Sequence, residues 1–167
     1  MSFADNRESY GWVSIILHWI SAGAVLFLWF VGQSAALAET PEARAPLQNQ
    51  HVSVALFVAV LLVSRVLWRL YSGHPRVVHN RGEWIVSMFA HYLMLIALVT
   101  MVATGLTMFL LAESCENVCD WAASVHAFSA RSLIVVIVLH FTAGMYHLMF
   151  CDDDVLLRMF VPKGKSE

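Results

Sequence analysis

Eight histidines stand in a chain of 167 residues of which 59% are hydrophobic and only 13% charged. His18, His51, His91, His126 and His140 fall within or at the ends of long apolar runs, and His147 sits close to the end of the last one. His74 and His79 lie in a polar connection and read as solvated residues. An ionisable side chain inside an apolar run is costly and marks a functional position by default. The informative pair is His126 and His140, which share one run and are 14 residues apart. On a helix this is about 21 Å of rise, returning to within roughly 40° of the starting direction. Two rings on one face at two depths suit two stacked cofactors; a single metal ion cannot use both.

Each of these rings needs a partner at matching depth. His51 opens the second run level with His126, and His18 lies level with His140 in the first. Depth therefore proposes His51 with His126 and His18 with His140. His91 is a rival for the second level, and His147 sits about 10 Å from it. A lone buried histidine equally serves as a hydrogen-bonding group between helices, and for His91 and His147 that reading stays open. Structural zinc wants four ligands converging on one point, whereas two-point axial ligation suits haem iron. No Cys-x-x-Cys-His occurs, so a haem here is held non-covalently. Gly23, Gly105 and Gly144 lie inside the runs, where they permit close backbone approach to a flat macrocycle or ordinary close helix packing.

The elements that position these residues are four apolar spans, about 12–32, 51–71, 84–111 and 125–150, each long enough to cross a bilayer. The expected fold is all-α: a four-helix transmembrane bundle forming one domain over residues 1–167. Ser34–Gln50 with Pro41 and Pro46, Ser72–Gly82 with Pro75, and Ala112–Ala122 read as loops. No repeat and no low-complexity tract stands out. Ala36-Leu37-Ala38 resembles a signal-peptide cleavage site, but the run before it is too long for one and carries His18, so a retained helix is expected. Arg7, Arg65, Arg69, Arg76, Arg81, Arg158, Lys163 and Lys165 fall on one side of the spans. Only Arg44 and Arg131 fall on the other, beside Glu39, Glu42, Glu113, Glu116 and Asp120. This asymmetry predicts that both termini are cytoplasmic. A net charge of −2 leaves no basic excess for nucleic acid. Cys115 and Cys119, in the outer connection, are placed where a disulfide can form.

The motifs resemble the bacterial cytochrome b561 family of small di-haem membrane proteins. Leu17-His18-Trp19 looks like the family's opening, and His51-Val52-Ser53 followed by Arg65-Val66-Leu67-Trp68-Arg69-Leu70 is similar to its second span. Gly105-Leu106-Thr107-Met108 after His91, then His126, Leu139-His140 and the tail Leu156-Leu157-Arg158-Met159 with Pro162, extend the likeness over nearly the whole chain. The resemblance implies two b haems with axial ligands matching His18, His51, His126 and His140, in the bacterial inner (plasma) membrane. It also implies exchange with ubiquinone and, in the best-known members, oxidation of superoxide at the outer face. Arg131, five residues past His126, is the candidate catalytic group for guiding such an anion or pairing with a haem propionate; it reads equally as a snorkelling interfacial arginine. Arg65, Arg69 and Arg158 are candidates for holding propionates or lining a quinone pocket, and His91 for contacting a quinone or a ligand.

Two other readings compete. The acidic outer loops suit docking to a basic periplasmic redox protein, which would make the chain a non-enzymatic subunit wiring that partner to the quinone pool. A histidine-lined transporter fits less well, because the histidines lie at two levels rather than along one path.

Overall fold

A computed structural model describes residues 3–5, 9–72, 81–111, 116–151 and 156–162. Its helices are α1 (Trp12–Leu37), α2 (Pro41–Ser72), α3 (Arg81–Leu110) and α4 (Glu116–Phe150), followed by a 3-10 turn at Leu157–Met159. Among the described residues there is no strand, and all four helices are long and apolar enough to cross a membrane. Their large apolar side chains point outward: Phe57, Phe89 and Phe128 are 72%, 68% and 68% exposed. In water such a surface would drive aggregation; in a bilayer lipid covers it.

The chain divides into two compact units, Met1–Val77 with Asp154–Glu167, and Val78–Asp153. The first is built on an antiparallel hairpin of α1 and α2. Gly11 caps α1 but has no side chain to do so. Asp5 does it instead: Oδ1 accepts from the Gly11 amide at 2.7 Å, while Oδ2 accepts from Ser14 Oγ at 2.8 Å and Ser72 Oγ at 3.0 Å. Trp68 Nε1 donates to Ser14 Oγ at 2.9 Å, so the first turn of α1 is tied to the last turns of α2. The 3-10 turn closes the same unit, with Trp19 Nε1 donating to the Met159 carbonyl at 2.6 Å and Phe160 stacked against the indole at 4.8 Å.

The connection expected over Ser34–Gln50 is mostly helix. α1 continues to Leu37 and α2 begins at Pro41, leaving only residues 38–40 between them. Thr40 Oγ1 accepts from the Ala43 amide at 3.2 Å, an N-cap that places Pro41 at the first helical position, where its missing N–H is not needed. Pro46 lies inside the helix, where it removes one backbone N–H donor. Arg44 Nη2 donates to the Ala38 carbonyl at 3.1 Å and pins the turn. The Ala112–Ala122 loop shortens likewise, because α4 begins at Glu116, and Arg81 and Gly82 belong to α3 rather than to a loop. Cys119 is disulfide-bonded, and Cys115 lies outside the described residues.

Candidate functional site

Each hairpin carries chemistry at two levels, one toward its tip and one toward its open end. At the tip of the first, His51 on α2 reaches across to α1, and its Nδ1–H donates to the Leu28 carbonyl at 3.1 Å. Gly32, one turn further along α1, makes room for the ring. A Cβ there would stand 3.2 Å from His51 Cε1 and 3.3 Å from Nδ1. In the second hairpin His126 on α4 does the same on α3. Its Nδ1 lies 3.1 Å from both the Met101 carbonyl and Thr104 Oγ1, with Gly105 beside the ring. The Thr104 hydroxyl donates to the Thr100 carbonyl at 2.7 Å, so its oxygen accepts from the imidazole.

These bonds decide the tautomer. A main-chain carbonyl only accepts, so Nδ1 carries the proton and the neutral ring holds its lone pair on Nε2. Metal-ligating histidines are prepared in this way, with one nitrogen committed to a backbone acceptor and the other presented to the metal.

The open ends differ. In the first hairpin Arg65 donates from Nη2 to His18 Nδ1 and from Nη1 to Ser21 Oγ, both at 2.7 Å, and the buried Ser21 hydroxyl donates in turn to the His18 carbonyl. Arginine has no acceptor, so here Nδ1 accepts and the ring proton sits on Nε2. Both partners of Arg65 are neutral, and among the described residues no carboxylate pairs with it. Nearby on the same hairpin, Arg69 lies 5.6 Å over the Tyr10 ring. Arg158, carried in by the 3-10 turn, has its Nε buried without a hydrogen-bond partner. In the second hairpin His91 and His140 meet edge to face, ring centroids 5.0 Å apart at 82°, and His91 Nδ1 donates to the Ser87 carbonyl at 2.6 Å.

Arg131 is exposed on α4, about 140° around the helix from His126. Gly23 has open space where a Cβ would point, so within its own hairpin it marks no close approach. Sequence reasoning picked out the histidines but not Leu28, Met101, Thr104, Ser21 or Gly32. The carbonyls leave no trace in residue type; the glycine four residues past each acceptor is the one signal that could have found them.

Fold and site together define a class: an all-α membrane protein in which each hairpin carries histidines toward its tip and toward its open end. The model of the prokaryotic cytochrome b561 family matches residues 9–162, and the chain belongs to that family. It is 30% identical over 195 aligned residues to cytochrome b561 homolog 2 of Escherichia coli, covering 99% of this chain and 97% of that one. It is 28% identical to cytochrome b562 of Cereibacter sphaeroides, covering 95% and 99%. It is 26% identical to the probable superoxide oxidase CybB of Yersinia pestis, covering 96% and 99%. No solved structure matches it significantly. Membership makes it a membrane electron-transfer protein of the oxidoreductase type, and a b-type cytochrome works with haem b.

The residues fit that group. His51 and His126 hold the ligating tautomer in place, and Gly32 and Gly105 leave the rings space. The guanidinium of Arg65, held between helices on Ser21 and His18, matches a propionate. His18 fits once that guanidinium has another acceptor.

Proposed function

We propose that the chain is a di-haem, quinone-linked oxidoreductase of the bacterial inner membrane, with both termini in the cytoplasm. The observation that carries this reading is the matched pair His51 and His126, each with its Nδ1–H committed to a carbonyl of the neighbouring helix. In this reading they would hold one b haem near the outer surface, and His18 and His140 would hold a second toward the cytoplasm. Haem iron, cycling between ferric and ferrous states, supplies one-electron transfer at each level. The protein's part is to fix ring planes, neutralise propionates and exclude water.

His18 would make one exchange on loading. Arg65 would give up the imidazole nitrogen for a propionate oxygen, a stronger charge-assisted bond. The ring proton would then sit on Nδ1, leaving the lone pair on Nε2. Arg69 and Arg158, at the same end of the hairpin, add positive charge for propionates or for a quinone headgroup.

The specific reaction is oxidation of superoxide at the outer face and reduction of ubiquinone. Two superoxide anions each give up one electron and become oxygen; ubiquinone takes up two electrons and two protons. A relative carrying the name superoxide oxidase supports this, as does Arg131 as an anion-guiding group on the outer half of α4. One observation favours a second reading. The tip of the first hairpin exposes Glu39 and Glu42 and α4 exposes Asp120, a field that repels an anion and suits a basic partner protein. In that reading the chain wires such a partner to the quinone pool.

A reduced-minus-oxidised visible spectrum with haem quantitation tests the ligation: two six-coordinate b haems per chain are expected, and one or none sinks it. Quinone reduction by superoxide then separates the readings. Oxidase activity lost in His51→Ala and weakened in Arg131→Ala supports the enzyme; a loaded protein that reduces no quinone with superoxide is the wiring subunit.

A further inference from the structure

The two hairpins repeat one design, contact by contact. A shift of 73 positions carries α1 onto α3: His18 onto His91, Leu28 onto Met101, Gly32 onto Gly105, and the last residue, Leu37, onto Leu110. A shift of 75 positions carries α2 onto α4: the first residue, Pro41, onto Glu116, His51 onto His126, and Arg65 onto His140. The two shifts differ only because residues 38–40 join the first pair of helices and 111–115 the second. Under them the Nδ1-to-carbonyl bond, the glycine beside the ring and the open-end contact all fall on their counterparts. Residues outside these contacts follow as well. Val58 and Leu133 are both 2% exposed, and Val31 and Thr104 are both buried.

We infer that the chain is two copies of one histidine-bearing hairpin in which the ligand at the open end has changed helix, so that His91, the counterpart of His18, is the positioning residue for His140, the counterpart of Arg65. This rests on the ligand assignment proposed above. In the first copy the ligand is on the leading helix and the residue it contacts is on the trailing one; in the second copy the order is reversed. His91 is equipped for the task. Its bond to the Ser87 carbonyl fixes its own ring, and its edge-to-face contact limits rotation of the His140 imidazole. The plane of an axial imidazole sets the anisotropy of a low-spin ferric haem, which gives the role a direct signature.

The test uses the haem-loaded protein in detergent, with His91→Ala, His91→Phe and His140→Ala compared by haem quantitation and by paramagnetic resonance of the ferric state. His91→Ala is expected to keep two haems, to move the low-field signal of one and leave the other, and to release that haem about ten-fold faster. His91→Phe, which keeps a ring edge, restores most of the native signal. Native signals from both haems in His91→Ala overturn the positioning role while the ligand reading stands. Two haems retained in His140→Ala with one lost in His91→Ala make His91 the ligand, and both proposals fall. If His91→Ala does not fold, His91→Gln, which lacks the ring edge, carries the same expectation.

Discussion

Gly32 and Gly105 occupy the same place beside equivalent histidines, yet they differ in tolerance. A methyl group at Gly105 would stand 3.6 Å from His126, an ordinary contact, while at Gly32 it would stand 3.2 Å from His51. Alanine in a helix interior gains about 1 kcal/mol over glycine. Gly105→Ala is therefore expected to leave the haem spectrum unchanged and to raise the melting temperature slightly. Gly32→Ala should displace the His51 ring, weaken its bond to Leu28 and lower haem retention, read by the reduced-minus-oxidised spectrum. At this scale the sequence was legible where side chains carry the chemistry. Histidines in apolar runs declare themselves because burial is costly, and the spacing of His126 and His140 sets two depths. The acceptors that fix the tautomers are main-chain atoms, and no residue type announces them. Arg65 was read as a propionate or quinone group from its place in the positive cluster; its bond to His18 depends on how two helices pack.

Helix existence and type were readable from hydrophobicity, but the ends were not. Pro41, Pro46 and the polar run between them have the composition of a loop, whereas the Thr40 cap starts a helix there, with Pro41 at the first helical position where it costs little. Removing that cap in Thr40→Ala should cost about 1 kcal/mol, seen as faster amide exchange over Ala43–Gln50 with haem content unchanged. The other end of the hairpin depends on Asp5, whose carboxylate joins the start of α1 to the end of α2 through three bonds. Hydrogen bonds to a charged group contribute about 1.5–3 kcal/mol each before the loss is shared among rearranged partners. Asp5→Ala is expected to lower thermal stability in detergent by about 2 kcal/mol, with Asp5→Asn, which still accepts, losing less. Nothing in the sequence pointed to Asp5, because its partners are 6, 9 and 67 residues away.

For the whole molecule, the distribution of lysine and arginine predicts both termini in the cytoplasm. A reporter active only outside the cytoplasm should be silent when fused after Pro162 and active when inserted between α1 and α2; the reverse pattern overturns the orientation. The twofold repeat of the hairpin escaped reading along the sequence because the copies share few residue types; it emerges only when contacts are aligned. The clasp of the 3-10 turn on Trp19 has a consequence for how the protein is made. The segment that completes the first hairpin leaves the ribosome after the whole second hairpin has been synthesised. The tip of the first hairpin, with His51 in its cradle, is complete early in translation. The end that holds His18 waits for Met159 and Phe160. Assembly of this hairpin therefore has a built-in order, with the tip formed before the second hairpin is made and the open end closed only afterwards.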